Sequence, residues 1–466
     1  MGYRVVWFKR DLRVQDHWPL LQAARHGRVL CLYVVEPGLW AQPDAAAQHY
    51  GFVRESLQAL DAQLQALGSR LHVAVGEVVD VLATLHDAAP FEALHAHEET
   101  GNAFTFARDL AVGRWCRAHG VGWHEWPQFG VVRRLRDRRE WQPRWERHMG
   151  APQAPTPAAL HTPELANASV WPWGSRHLPT PAELGLDPFE PPRRQRGGRP
   201  RAQAVLHDFL HERSACYRGG ISSPLSAPDA CSRLSPYLAQ GVLSMREVVQ
   251  ATRAELAALP PQAKRHRLGL QGFVSRLYWH CHFIQKLESE PELEWCNLHR
   301  GYDGLREPDW NPAHFEALTQ GRTGWPMVDA CVAMLRETGW LNFRMRAMLV
   351  SVAAYPRWLP ALRRVPDSWL FEPWRMSNDV AARCGVRLGQ DVALPPVELM
   401  DALRESKARM HALRRQSAVR AAKSAVVERH GSRRGMPGAS RDARGEERPA
   451  LRRKPNPPAN QMSLDF

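Results

Sequence analysis

Short apolar runs alternate with longer amphipathic stretches over the first 130 residues of the chain. The apolar runs cover residues 3–8, 28–35, 70–76 and 92–98, and the amphipathic stretches cover 17–26, 48–66, 77–86 and 102–118. Buried parallel strands are apolar throughout, whereas the helices that connect them are apolar on one face only. The pattern therefore predicts an α/β domain with a doubly wound parallel sheet over residues 1–130, with a ligand crevice at the carboxyl ends of the strands.

The pattern changes after residue 130. Residues 131–200 are predicted to be an interdomain connector, since the stretch from 150 onwards is rich in proline and arginine and keeps neither period. Residues 201–430 have helical spacing without a strand pattern, which predicts an all-α domain that ends in a basic helical stretch at 396–428. Residues 431–466 are rich in arginine, proline and glycine, which is typical of a disordered tail.

Composition narrows the class of protein and its surroundings. The eight cysteines form no C-x-x-C pair, which favours reduced thiols and a cytoplasmic location. We find neither a signal-peptide pattern at the start nor an apolar run long enough to span a membrane. The formal net charge is +14, which favours a polyanionic partner such as nucleic acid, although part of the excess lies in the tail.

Two loops carry candidate chemistry. "VVWFKRDLRVQDH" (5–17) ends a predicted strand with Arg10, Asp11 and Arg13, which we interpret as an ion cluster that closes a strand-to-helix turn. In "ACSRLSPYLAQGVLSMRE" (230–247), Ser232 and Ser235 are candidate caps of a helix that begins near Pro236. The alternative is that Ser232, Arg233 and Ser235 bind a diphosphate at the start of that helix. The sequence leaves both interpretations open.

A third candidate is the stretch "TGWLNFRMRAML" (338–349). If it is one helix, Trp340 and Arg344 share a face, and Asn342 and Arg346 share the adjacent face. Arginines buried in an apolar helix need an anion, so a protein carboxylate, a phosphate or a flavin is expected to face them. The histidines of "RLYWHCHF" (276–283), by contrast, are two positions apart and point to different sides of a helix, so we assign no metal site.

Several of these motifs resemble those of the cryptochrome/DNA photolyase family, in the same order. They are "VVWFKRDLR", "SRLSPYLAQGVLS", "GRTGWPMVDACVAMLRETGW", "NFRMRAM" and "FEPW" (371–374), and the resemblance extends over roughly residues 1–425. It implies an α/β antenna domain followed by a helical domain that binds FAD. It also implies a monomer that acts on DNA containing pyrimidine dimers, with no membrane association and no evident protein partner.

The resemblance also implies roles for individual positions. The residues that would line the flavin phosphates are Tyr217, Cys231, Ser232, Arg233, Leu234 and Ser235, with Cys231 where a threonine is usual. Trp340, Arg344 and Arg346 would lie near the isoalloxazine and the mouth of the DNA site. Gln271, Arg276 and Arg344 would contact DNA, and Gln271 stands where relatives have a substrate-facing glutamate. Trp310 resembles the outer member of the tryptophan relay that reduces the flavin, so Trp310 and Gln271 are the expected catalytic residues.

The stretch "AAYPRWLP" (353–360) interrupts this resemblance. Pro356 cannot continue a helix and disfavours helical geometry at Tyr355. In relatives the helix continues, and a lengthy segment precedes the counterpart of residues 357–374. That segment supplies the aspartate that pairs with the counterpart of Arg346, the polar residue that faces flavin N5, and the inner tryptophans of the relay. We therefore predict that an internal segment is missing at Tyr355/Pro356, which leaves the flavin pocket open on one side and lowers its occupancy.

The sequence indicates neither a particular antenna chromophore nor a single activity. Residues 97–110 resemble the antenna-binding segment, but Phe104 and Thr105 replace the asparagine and glutamate that hold a folate in some members, so no antenna chromophore is assigned. Three functions are compatible with the sequence. They are light-driven repair of pyrimidine dimers, cryptochrome-like sensing without repair, which Gln271 favours, and a degenerate member with impaired flavin binding, which the missing segment favours.

Overall fold

A computed structural model describes residues 2–163, 178–304, 312–349, 373–391, 394 and 399–431. Among these residues, no helix is long and apolar enough to cross a membrane. The predicted junction at Tyr355/Pro356, the tryptophan Trp310 and the tail from residue 432 lie outside the described residues.

The amino-terminal part is built on a five-stranded parallel sheet. Its strands are β1 (Tyr3–Phe8), β2 (Arg28–Val35), β3 (Leu71–Val75), β4 (Ala93–His97) and β5 (Gly122–Trp126). Their order across the sheet is β3-β2-β1-β4-β5, with every pair parallel. The reversal of strand order beside β1 is the doubly wound arrangement, and it opens a crevice at the carboxyl ends of the strands. The predicted fold class is confirmed.

Helices cover both faces of this sheet, because its central strands are apolar on both sides. These helices are α1 (Trp18–Arg25), α2 (Pro37–Trp40), α3 (Ala47–Ala66), α4 (Val78–Ala88) and α5 (Ala103–Ala118). In β1, Val5 and Trp7 belong to one apolar cluster, and Val6 and Phe8 belong to the other. Four strands lie where the apolar runs predict them. The fifth, β5, is missed because "GWHEW" has no apolar run and is only half-buried at the sheet edge.

The predicted connector contains packed structure. Helix α6 (Trp141–Gly150) buries Trp141 and Trp145 against the ring of Tyr278, with ring centroids 4.7 and 5.2 Å apart. The start of the connector therefore belongs to the core of the helical part. Its end, residues 191–198, is bonded to both parts of the molecule, since Gly197 donates to Glu55 on α3 and Arg196 accepts from Tyr237.

The remaining described chain is helical. Its helices are α7 (Arg199–Asp208), α8 (Ser214–Gly220), α9 (Ala227–Ala230), α10 (Ser235–Ala239), α11 (Met245–Ala258), α12 (Lys264–Ser289), α13 (Pro312–Gln320), α14 (Pro326–Thr338), α15 (Phe343–Met348), α16 (Asn378–Arg383), α17 (Leu399–Arg415) and α18 (Ser417–His430). A π-helical turn at Phe209–Arg213 joins α7 to α8. The basic stretch predicted as one helix is two helices, because the chain is extended at Gln416. The second of them ends at His430, which is buried against Glu290.

Candidate functional site

The loop between α9 and α10 contains a strained arginine. Arg233 has φ +60°, in the left-handed region that side chains other than glycine rarely adopt. Its guanidinium lies 4.0 Å from the ring centroid of Trp340, which is close enough for a cation–π contact. Its Nε donates to Oε1 of Gln195 at 3.1 Å. Burial lowers the pKa of Arg233 to about 10, so the group stays charged at neutral pH.

The capping role predicted for Ser232 and Ser235 is wrong. Helix α10 begins at Ser235, the preceding residue is Leu234, and neither serine makes a side-chain cap bond. The capping serine is Ser244, whose hydroxyl accepts from the backbone N–H of Glu247 at the start of α11. Because α10 has only five residues, its amino terminus carries a weak dipole, and positive charge in this loop comes from guanidinium groups instead.

The prediction that Trp340 and Arg344 share one helical face is also wrong. Helix α14 ends at Thr338, Gly339 follows with φ +62°, and α15 begins only at Phe343. A glycine in the left-handed conformation is a common helix terminator, and it turns the chain here. Asn342, which precedes α15, donates from Nδ2 to the carbonyl oxygen of Ile221 at 2.9 Å. Trp340 therefore lies in a loop beside Arg233.

The two arginines of α15 are not buried, contrary to expectation. Arg344 and Arg346 are both exposed. Neither has an ion-pair partner among the residues that the structure describes. The anion expected to face them is not among the residues that the structure describes.

Three guanidinium groups act electrostatically on Cys231. Burial raises the pKa of the Cys231 thiol to about 11, while the positive charges of Arg233, Arg213 and Arg346 act in the opposite direction. Arg213 donates to the carbonyl oxygen of Cys231 and pairs with Asp208. Asp229 acts on Arg233, so two carboxylates face three guanidiniums and the cluster keeps surplus positive charge.

Tyr217 connects this cluster to the long helix α12. Its side chain is buried, burial raises the pKa of its phenol, and it forms a hydrogen bond with Arg276. Arg276 and Gln271 are exposed on α12. The structure thus brings Tyr217, Cys231, Arg233, Trp340 and Arg346 into one region, whereas Ser235 is exposed and makes no side-chain cap bond there.

The donor set suits the diphosphate of a dinucleotide. Arginines bind phosphate oxygens through paired, charge-assisted hydrogen bonds, and the surplus positive charge around Cys231 would favour an anion. Of the predicted residues, Arg233 and Arg346 would hold the phosphates, with Tyr217 and Cys231 beside them. Sequence reasoning missed Arg213 and Gln195. The π-helical turn that ends at Arg213 cannot be read from a sequence, and such turns are frequent at functional sites.

The crevice at the carboxyl ends of the strands is filled by buried charges. Nζ of Lys9 lies 2.8 Å from Oδ2 of Asp109, and Arg108 pairs with Glu36 at 2.9 Å and with Glu99 at 2.6 Å. The side chains of Lys9, Arg108, Glu36 and Glu99 are each at most 6% exposed. Within the predicted antenna segment, Thr105 is buried, and its N–H donates to the side chain of Asn102, which caps the start of α5.

Asp11 forms a buried brace with two histidines. Its Oδ2 lies 2.9 Å from Nε2 of His17 and 2.7 Å from Nδ1 of His97, and its Oδ1 accepts from the N–H of Lys9. Nδ1 of His17 in turn accepts from the N–H of Leu20, so the ring donates to Asp11 through Nε2. Although these ligand atoms are close enough to be considered for a metal ion, the three side chains satisfy one another. The predicted ion cluster between Asp11 and its neighbouring arginines is replaced by this brace.

The loop after β1 is also bonded to the helical part. Asp16 accepts from Arg246 at 2.7 Å and from Ser244 at 2.6 Å, and Arg13 donates to the carbonyl oxygen of Gly241. Gly241 has φ +59° and packs against the backbone of Arg10 and Asp11. The segment that follows α10 is therefore held directly by the sheet.

The chain thus combines a doubly wound parallel domain with a helical domain that carries a cationic cluster. Comparisons with known protein families match segments of both domains. Residues 4–132 match the family model described as DNA photolyase, and residues 273–356 match the FAD binding domain of DNA photolyase. Both matches support the cryptochrome/DNA photolyase family for this chain.

The sequence identity to individual relatives is low, but the alignments cover most of the chain. The deoxyribodipyrimidine photo-lyase of Agrobacterium fabrum is 28% identical over 373 residues, covering 74% of this chain and 72% of the relative. Cryptochrome-1 of Arabidopsis thaliana is 24% identical over 538 aligned positions, covering 93% of this chain and 73% of the relative. Among solved structures, a bacterial class III photolyase from Agrobacterium tumefaciens has a TM-score of 0.71 at 22% identity, covering 89% of this chain and 98% of that one, which supports the fold.

Proposed function

We propose that the chain binds FAD at the cluster around Cys231 and Arg233 and uses it for light-driven repair of pyrimidine dimers in DNA. The observation that carries the proposal is the surplus positive charge of Arg213, Arg233 and Arg346, which exceeds the negative charge of the two carboxylates that act on them, Asp208 and Asp229. When bound, FAD would supply the light-driven electron transfer. The chain's own residues would bind the diphosphate of FAD and would shield the bound cofactor from water.

The DNA side of the proposal depends on exposed residues beside this cluster. Arg276 is exposed on α12 and bonded to the buried Tyr217, so it links the outer surface to the cofactor region. Arg344 is exposed on α15, and Gln271 is exposed one and a half turns before Arg276. These side chains would contact the phosphate backbone and the flipped lesion, since photolyases act on a base taken out of the stack.

A second candidate is a flavin photoreceptor without repair. Gln271 stands where relatives have a glutamate, and an amide can accept a hydrogen bond but cannot deliver a proton to the lesion. Cryptochromes are also among the relatives. Light-dependent reduction of the flavin without loss of dimers would support this candidate over repair.

A third candidate is a degenerate member that binds flavin poorly. The match to the FAD-binding domain ends at residue 356, at the predicted junction. The alignment with Arabidopsis cryptochrome runs over 538 positions, more than the 466 residues of this chain, so it contains gaps on this side. Both facts agree with the loss of an internal segment that normally closes the pocket.

One experiment separates the three candidates. The purified full-length chain is incubated with excess FAD and desalted, and the flavin-to-protein ratio is measured after acid release. A near-stoichiometric ratio, followed by light-dependent loss of dimers from irradiated oligonucleotides, supports repair. Bound flavin without dimer loss supports sensing. A folded protein that retains no flavin overturns both photochemical functions.

A further inference from the structure

The end of the predicted connector holds the strained arginine of the site. Nε2 of Gln195 donates to the carbonyl oxygen of Arg233 at 2.8 Å, and Oε1 of Gln195 accepts from Nε of the same arginine at 3.1 Å. The side-chain amide of Gln195 thus forms hydrogen bonds with both the backbone and the side chain of Arg233. The carboxyamide of glutamine has one acceptor and one donor group, which this arrangement uses together.

Arg233 needs such a restraint. A left-handed backbone at a residue with a long side chain persists only where the surroundings hold it. The guanidinium also lies 4.0 Å from the ring centroid of Trp340, and its charge acts on the Cys231 thiol. Without the Gln195 amide, the carbonyl of Arg233 would lose a donor and the guanidinium an acceptor.

Gln195 is itself firmly placed by its neighbours. The guanidinium of Arg194 forms a double contact with Glu55 on α3, at 3.0 Å for each nitrogen. On the other side, the carbonyl oxygen of Arg196 accepts from the hydroxyl of Tyr237 at 2.9 Å, and the N–H of Gly197 donates to Glu55. The backbone on both sides of Gln195 is therefore fixed before any ligand arrives.

We propose that Gln195 is a positioning residue that presents the Arg233 guanidinium to the diphosphate of the bound dinucleotide. The inference rests on the proposed function, because it assumes that the cationic cluster binds a diphosphate. Preorganising a flexible arginine lowers the entropy lost on binding, so the contribution of Gln195 should be seen as ligand affinity. It assigns a role in the site to a segment that the sequence predicts to be only a connector.

The test compares three probes on the full-length protein: FAD, ADP and riboflavin. ADP carries the diphosphate without the isoalloxazine, and riboflavin carries the isoalloxazine without a phosphate. Gln195→Met removes both hydrogen bonds at similar side-chain length. Gln195→Glu keeps the acceptor, removes the donor and places a negative charge against Arg233. The control is Gln250→Glu, since Gln250 is also half-buried and also donates to backbone carbonyls, those of Met149 and Ala151.

Both Gln195 variants should bind FAD and ADP at least about tenfold more weakly: in Gln195→Met the guanidinium loses its placement, and in Gln195→Glu the carboxylate competes with the phosphates for it. Riboflavin binding should be unchanged, and the control should bind all three probes as the parent protein does. Folding is checked by circular dichroism, and Gln195→Met carries the test if the charged variant does not fold.

The outcomes separate the inference from the proposed function. If both variants fold and bind ADP and FAD with parental affinity, the inference is overturned while flavin binding stands. If the parent binds ADP but not FAD, the proposed function fails, and Gln195 is still judged by ADP affinity. If the parent binds neither probe, both are overturned. A weakening of riboflavin binding equal to that of ADP would show general damage to the pocket and would also overturn the positioning role.

Discussion

Asp16 and Arg246 are 230 positions apart in the sequence and form a buried ion pair, with Oδ1 of Asp16 at 2.7 Å from Nη1 of Arg246. The first lies in the loop after β1 and the second in the first turn of α11. Ser244 donates to the other carboxylate oxygen. Because Ser244 also caps α11, one carboxylate joins the sheet to the start of a helix in the helical part.

The variant Asp16→Asn should destabilise the folded protein by about 3 kcal/mol, because it leaves Arg246 buried without its anion. Asparagine tolerates the positive φ of +47° at this position, so backbone strain does not confound the result. The measurement is the free energy of unfolding in denaturant. The exposed pair Arg144–Glu140 provides the control, since Glu140→Gln should change stability by less than about 1 kcal/mol. Equal effects of the two substitutions would contradict this account of the buried pair.

Gly241→Ala should destabilise the protein by more than about 3 kcal/mol, because overpacking adds to the backbone strain of a positive φ. A Cβ at this position would meet the carbonyl oxygen of Arg10 and the Cα of Asp11. Gly120 has a similar φ of +68°, with nothing within 4 Å of the added atom. Gly120→Ala should therefore cost only about 1 to 2 kcal/mol. Thermal unfolding of both variants checks the difference, and similar midpoints would argue against the close approach at Gly241.

His95→Phe should stabilise the protein most in mildly acidic solution. His95 is buried, both of its ring nitrogens lack a partner among the described residues, and burial lowers its pKa from 6.5 to about 3. As pH falls below 6.5, His95 becomes protonated in the unfolded chain but stays neutral in the folded protein. The folded state therefore loses stability as pH falls. At pH 5 the gain from removing this group should be about 2 kcal/mol.

Phenylalanine keeps the stacking of His95 on Trp126, whose ring centroid is 5.2 Å away. The check is the unfolding free energy of parent and variant from pH 4.5 to 8, where the two curves should diverge below pH 6.5. The exposed His207 provides the control, and His207→Gln should leave the pH dependence of the parent intact. Parallel curves for His95→Phe and the parent would show that this histidine is not kept neutral by burial.

Arg276→Ala and Arg344→Ala should each weaken binding to DNA without a change in sequence preference. If each arginine contacts a phosphate, the slope of log affinity against log salt should fall by about 1 per substitution. Titrations by fluorescence anisotropy at several salt concentrations provide the measurement. Arg387, which is exposed but paired with Asp391 at 2.9 Å, is the control residue. An unchanged slope for both variants would place the DNA surface elsewhere.

The sequence predicts the sheet and its helices well because both depend on local hydrophobic periodicity. It fails at β5, where a half-buried edge strand has no apolar run, and at Trp340, where the apolar pattern continues through a glycine that ends the helix. It also fails at Gln195 and Arg213. Their roles depend on contacts 38 and 18 positions away in the chain, and no local pattern encodes such contacts.

In the candidate site, too, the sequence predicts some features and the structure alone shows others. The motifs identify Tyr217, Cys231, Arg233 and Arg346, and the structure brings them together. What the motifs cannot give is the direction of each side chain. Arg233 has a left-handed backbone, and its guanidinium lies on Trp340, a residue far away in the sequence. This direction depends on a tertiary contact.

The break at Gly339 determines which part of the chain supports the arginines of α15. Asn342 attaches the start of that helix to Ile221, and Met345 packs in the cluster formed by Met327, Cys331, Met334 and Leu341. All of these anchors precede residue 350 in the sequence. Within the described residues, the helix that carries Arg344 and Arg346 is thus anchored by chain that lies before the predicted junction, so a change in length beyond that junction leaves these anchors in place.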